Sequence, residues 1–207
     1  MVVLDRDVNA LRRLHAQAHG EIARALEPFG YYRPDIQAEL SGPAESGGPW
    51  RASYRVDAGP LLPIVELDIG FDGPGAADPE LAELAADLPL QRDPALDHRR
   101  YEAAKRDLLR QLRERGYLDA ALSEHRVEVH LAAYEARIRL RIATGPRYVF
   151  GAIEFEQDRF DPEYLARYLL IEPGDTYSSA ELARQRQALS KSGHFQGVEI
   201  LPLPDGD

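Results

Sequence analysis

The sequence predicts an α+β fold: a tandem array of βααββ units, each a three-stranded mixed sheet covered on one face by two helices. Three observations predict it. Turn residues recur at one spacing, with Gly30-Tyr31 returning as Gly116-Tyr117, Gly59-Pro60 as Gly145-Pro146, and Leu67 as Ile153, each 86 residues on. Between these turns, runs with period-two alternation and runs with apolar residues every three or four follow each other in a fixed order. Asp78-Pro79 and Asp161-Pro162 stand where helices should start, since aspartate caps orphan amides and proline lacks the N–H that would go unpaired. A period this long exceeds that of helical solenoids, so each copy should hold its own small core.

The middle copy is complete. It opens with Ile64 to Phe71, where Val65, Leu67, Ile69 and Phe71 alternate with mostly polar neighbours as a half-buried strand requires. Gly73-Pro74-Gly75 ends the strand, and Asp78-Pro79 starts a short helix through Leu81, Leu84 and Ala85 that Pro89 and Pro94 confine. A longer helix begins near Asp97, carries Tyr101, Ala104, Leu108 and Leu112 on one stripe, and stops at Gly116. Two alternating runs follow, Arg126 to Leu131 and Ala136 to Ile142, with Ala132 to Glu135 turning between them as a hairpin. Helices can cover one face of such a sheet, leaving Glu128, Arg137, Arg139 and Arg141 on the wet one.

The outer copies are incomplete. The first has helical sequence from Val8 to Leu26 and strands at Ile36 to Leu40 and Ala52 to Val56, with only Met1 to Leu4 before them. The last has a strand from Tyr148 to Phe155, a helix opened by Asp161-Pro162, and a capping box Ser178-x-x-Glu181 with Leu182 and Leu189 on the buried side. It ends at Val198 to Leu203 and a Pro204-Asp205-Gly206 turn, where a further strand is due. The expected limits are 1–60 (first strand missing or incomplete), 61–146, and 147–207 (last strand missing).

Composition narrows the function. Hydrophobic residues at 44% and charged residues at 29% suit packed cores rather than disorder. A net charge of −10 repels nucleic-acid phosphates, so no nucleic acid is expected as a partner. The absence of cysteine excludes disulfides and thiolate chemistry. No apolar run approaches the roughly 20 residues that span a bilayer.

The tandem βααββ order, with Gly-Tyr closing a second helix and Gly-Pro closing a last strand, resembles the polypeptide-transport-associated (POTRA) domain. Ala25 to Pro34, with Gly30-Tyr31-Tyr32 at its centre, followed by Tyr54 to Pro60, is similar in particular to the first repeat of TamA-type chains. The resemblance implies a periplasmic arm, attached to the outer membrane of a Gram-negative bacterium through a C-terminal β-barrel not among these residues. It implies a part in assembling autotransporters and other outer-membrane proteins. Its implied partners are unfolded or nascent outer-membrane proteins and a TamB-like, inner-membrane-anchored protein. No cofactor, metal or catalytic activity is implied.

In the family arrangement the fourth element is an outer strand. Here that strand holds Arg126, Val127, Glu128, Val129 and His130, with the valines inward and the other three outward. An extended guest could add to it through backbone hydrogen bonds that tolerate any sequence. The alternative function is a passive architectural spacer between barrel and partner, without affinity for clients.

Other motifs are better explained by structure. His15 and His19 share a helical face without a third ligand. His125 and His130 differ by an odd number, so a regular strand sends them to opposite faces. Gly70 to Gly75 lacks phosphate-loop spacing. The basic run Arg99, Arg100, Lys105, Arg106, Arg110, Arg113 and Arg115 alternates with acids on a solvated helix face, and Gly30, Gly116 and Gly193 terminate helices.

Overall fold

The structure is a computed structural model that describes residues 5–42, 49–92, 95–157, 159–193, 195 and 197–201. Met1 to Leu4, the only residues left for the first copy's missing or incomplete strand, lie outside the described residues, as do Pro94, His194 and the closing turn at residues 204–206. The chain divides into two compact units, Met1–Leu67 with Leu88–Ala104 and Arg126–Ile138, and Asp68–Asp87 with Lys105–His125 and Arg139–Asp207.

In the first unit, helix α1 (Asp5–Leu26) packs on strand β1 (Asp35–Ser41), which pairs antiparallel with β2 (Arg51–Asp57) in a register that sets Ile36 opposite Val56 and Ala38 opposite Tyr54. A 3-10 turn at Glu27–Phe29 closes the helical segment. Gly30 follows at φ 89°, a left-handed conformation that lets its N–H reach back to the Glu27 carbonyl. Leu62 then donates to the Gly30 carbonyl at 2.9 Å and accepts from Leu96 at 2.8 Å. Leu62, Leu90, Leu96, Tyr101, Ala104, Ala136 and Ile138 make one buried core, against which Tyr32, Ile64, Leu67, Val127, Val129 and Tyr134 pack.

The middle copy supplies strands β3 (Ile64–Asp72), β4 (Ala121–His130) and β5 (Glu135–Ala143), ordered β3-β5-β4, and helices α2 (Pro79–Ala86), α3 (Pro89–Arg92) and α4 (His98–Glu114). Ala136 donates to Pro63 and Thr144 to Asp72, so β3 and β5 run parallel and the sheet is mixed. Between those two bonds β3 advances one residue more than β5. The surplus residue explains a departure from strict alternation: Val65, expected inward, is 54% exposed, while Ile64 and Leu67 face the core. On β5 the alternation is unbroken, burying Ala136, Ile138, Leu140 and Ile142.

The second unit repeats the backbone contacts of the first. Gly116, at φ 92°, donates to Arg113, and Tyr148 donates to the Gly116 carbonyl at 2.8 Å. Both bonds link residues 86 positions beyond their counterparts in the first unit. The bridges Pro63 to Ala95 and Val149 to Thr176 are the corresponding pair. Asp78 and Asp161 cap α2 and α5 (Pro162–Ala166) by accepting from Glu80 and Glu163, and Ser178 caps α6 (Ser179–Lys191) by accepting from Glu181. Leu165, Ile171 and Leu189 are buried. So is Gln185, 1% exposed, which accepts from the Leu170 N–H and donates to the Tyr168 carbonyl.

Two outer elements differ from expectation. Residues 149–156 form no strand beyond the bridge at Val149, and residues 198–201 are irregular. A strand exists only through its ladder, and among the described residues the first segment pairs only at its start, where Phe150 donates to Asp175 and accepts from Gly174 beside the Val149 bridge. The proline-flanked stretch after α2, expected to be only a stop, contains the short helix α3.

Candidate polypeptide-binding edge

β4 has one hydrogen-bonded neighbour, β5, so its other side is an open edge among the described residues. Arg126, Glu128 and His130 are exposed, and Val127 and Val129 alternate with them, half-buried against the core. The apolar pair anchors the strand, and the polar trio lies in water. Arg126 pairs with Glu128 at 3.3 Å and His130 approaches the same carboxylate at 3.7 Å, so the charges of the outer row largely neutralise one another.

Nearer its start, β4 changes phase. Leu122 and Glu124 are half-buried, whereas His125 and Arg126 are consecutive exposed residues before Val127. His125 and His130 are both exposed. A phase change on an edge strand has the burial signature of a bulge, a common means of limiting edge-to-edge pairing.

The far end of β4 is tied down. Arg33 donates from Nη2 to the Leu131 carbonyl at 2.5 Å and lies over the Tyr134 ring, 4.3 Å from its centroid. The Tyr134 hydroxyl donates to the Pro60 carbonyl at 2.5 Å. Tyr32 and His98 share a hydrogen bond of 2.6 Å, and burial pushes the Tyr32 phenol pKa up. Sequence reading missed these contacts, because the partners lie 66 to 101 positions apart.

The wet face of the middle sheet carries cross-strand ion pairs. Arg137 faces Glu66 at 3.7 Å, and Arg139 and Arg141 share Asp68 at 3.4 and 2.6 Å. Gly70 is part of this face: a Cβ there would lie 1.7 Å from the Arg141 guanidinium, so any side chain at this position would require that arginine to shift.

In the second unit, Tyr117 is buried, its ring against Gly75 and its hydroxyl donating to Asp78 at 2.7 Å. That bond holds the Asp78 carboxyl below its usual pKa, while burial, then the bond, pushes the Tyr117 phenol to about 12. Arg147 joins the group, pairing with Asp78 and Glu80 at 3.4 and 3.1 Å and donating to the Arg115 carbonyl at 3.0 Å. On α4 the basic run is occupied locally: Arg99 pairs with Asp97, Arg110 with Asp107 and Glu114, and Lys105 is buried. His15 bonds the Tyr54 hydroxyl at 2.8 Å. Among the described residues no group of three or more His, Asp or Glu is placed to hold a metal, and no helix is long and apolar enough to cross a membrane.

An α+β chain of repeated units, with glycine-terminated helices and a mixed three-stranded sheet, belongs to the class of tandem POTRA arrays. The family description "POTRA domain TamA domain 1" matches residues 3–58, and "POTRA: Surface antigen variable number repeat" matches residues 148–207. Together they take in more than half of the chain, which belongs to the POTRA-domain family and is a TamA-like POTRA region. Solved structures similar to it include POTRA3-5 of Haemophilus influenzae BamA (20% identity, 86% of this chain and 70% of that one, TM-score 0.45). Two others are POTRA1-3 of the periplasmic domain of Omp85 from Anabaena (17%, 87% and 72%, 0.34) and the N-terminal domain of Omp85 from Thermosynechococcus elongatus (16%, 89% and 75%, 0.33).

Proposed function

We propose that this chain is a periplasmic, non-enzymatic arm of an outer-membrane protein assembly machine, and that it guides autotransporter or other outer-membrane clients by adding their extended segments to a sheet edge. A TamB-like protein is the proposed docking partner, and a C-terminal barrel the proposed membrane attachment. The arm is read as three units, residues 1–60, 61–146 and 147–207, a division supported by the joint contacts that recur 86 residues apart.

The carrying observation is the open side of β4, where Arg126, Glu128 and His130 are exposed while Val127 and Val129 hold the strand to its core. Backbone N–H and C=O groups along such an edge give affinity without demanding a sequence, which suits a guide of unfolded chains.

Proline at Val127 or Val129 removes an amide and distorts the edge, so client binding should fall. Amide exchange on the native chain provides a second readout, since a bound client should protect β4 amides. Unchanged affinity in a folded proline variant, with no protection along β4, would remove this edge from consideration.

The spacer reading draws on a different observation, the side-chain locks beside Gly30 and Gly116, which suit a rigid connector. It expects no client affinity and loss of cellular function when residues are inserted at Gly59-Pro60 or Gly145-Pro146.

A further inference from the structure

We infer that Arg33 is the register stop of the β4 edge and selects guest strands that bring a carboxylate to that end. The inference rests on the edge reading above and adds a specificity determinant to it.

A guest strand lengthens by pairing with successive free backbone groups. One residue beyond β4, in the turn, the Leu131 carbonyl already accepts from Arg33 Nη2 at 2.5 Å, so a guest cannot continue its pairing through that group. The guanidinium cannot swing away freely, since it stacks on Tyr134, whose hydroxyl is bonded to the Pro60 carbonyl. The Arg33 backbone is held as well: its carbonyl lies 2.4 Å from where a Cβ on Gly59 would stand, an approach only glycine permits. Tyr134, the last residue of the β4–β5 turn, adopts φ 56°, uncommon for a bulky residue. Arg33, Gly59-Pro60 and Tyr134 thus form a closed ring of contacts around the β4–β5 turn, and pairing should end at His130.

The same side chain supplies a charge. Among the described residues no carboxylate pairs with Arg33, in contrast to Arg137, Arg139, Arg141 and Arg147. A guanidinium has five N–H donors in a planar fork, and the bond to Leu131 and the stacking on Tyr134 leave others facing solvent. A guest with a carboxylate at this point gains a charge-assisted hydrogen bond that an amide cannot match.

The test uses the whole 207-residue chain and an alternating valine-threonine peptide about as long as β4, with aspartate or asparagine at its first or its last position. Because the site is exposed, the aspartate form should bind about two- to fivefold more tightly when placed at one end. The responding end reports strand direction. The preference should vanish in Arg33→Gln, and amide protection that stops at His130 in the native chain should extend into Leu131 and Ala132. Tyr134→Phe, which removes only the bond to Pro60, should retain the preference, separating charge from a loosened turn.

Equal affinity for aspartate and asparagine at both ends of the native chain overturns the inference without any variant, as does a preference that survives Arg33→Gln. Protection along β4 that ignores Arg33 leaves the edge reading standing and removes the stop. No protection along β4 from any of the peptides removes both.

Discussion

The joint beside Gly30 and the joint beside Gly116 share a backbone and differ in side chains. In each, a left-handed glycine donates to a carbonyl three residues back and accepts from a residue 32 positions ahead, Leu62 in one and Tyr148 in the other. In each, a second left-handed glycine, Gly59 or Gly145, closes on the residue three positions beyond the first, Arg33 or Asp119. Around Gly30 the remaining contacts are aromatic and apolar: buried Leu62, Arg33 over Tyr134, Arg99 over Phe29, Tyr32 with His98. Around Gly116 they are largely polar: Arg147 pairs with Asp78 and Glu80 and lies over the Tyr117 ring, and the Tyr148 hydroxyl donates to Asp119. Backbone geometry is what glycine and proline specify, so it survives repetition, whereas the side chains around it can diverge provided each polar group keeps a partner.

The largest expected effect tests the apolar difference. Leu62→Ala empties a fully buried site and should cost about 2–5 kcal/mol in urea unfolding, while Tyr148→Ala, at the matching but half-buried position, should cost less. Equal losses would mean that the joints are alike in more than backbone. Next come the glycines. Either alanine must bear the left-handed penalty of about 1–2 kcal/mol, and Gly30→Ala should cost more, because its Cβ would meet the Leu96 carbonyl at 1.9 Å against 2.9 Å from Tyr148 for Gly116→Ala. A reversed order in thermal melts would contradict that geometry.

Smaller effects test the ionic difference. Arg147→Ala should destabilise by about 0.2–1 kcal/mol for the exposed pair with Glu80 and by a further amount for the pair with the largely buried Asp78, and the loss should shrink in high salt. Arg33→Ala, with no described carboxylate partner, should show little salt dependence in the same melts. The Asp78 carboxyl, held low chiefly by the Tyr117 hydroxyl, contributes stability that is present above the ordinary carboxylate pKa of about 3.9 and lost as pH falls through its depressed value. Tyr117→Phe should therefore flatten the decline in urea midpoint between neutral and strongly acidic pH; an unchanged decline would place the acid sensitivity elsewhere.

Much of the fold was legible in the sequence because it is encoded locally. Asp78, Asp161 and Ser178 cap the helices that their positions announced, α4 carries its apolar stripe, and the β4–β5 hairpin follows its alternation. The surplus residue in β3 was not legible, since Val65 and Ile64 are equally apolar and only pairing with β5 decides which turns inward. Nothing local marks Gln185, which is buried with its amide bonded to the backbone at Tyr168 and Leu170. For the candidate edge, the alternation from Arg126 to His130 was visible, but the clamp at Leu131 was not.

By itself the sequence determined where the chain turns, where helices begin and end, and that one design recurs, because glycine, proline and capping residues act on the backbone within a few positions. Tertiary structure alone decided which arginine stands at the end of the outer strand and how each joint is held. Those outcomes depend on groups that are far apart along the chain and meet only after the sheet and helices have packed.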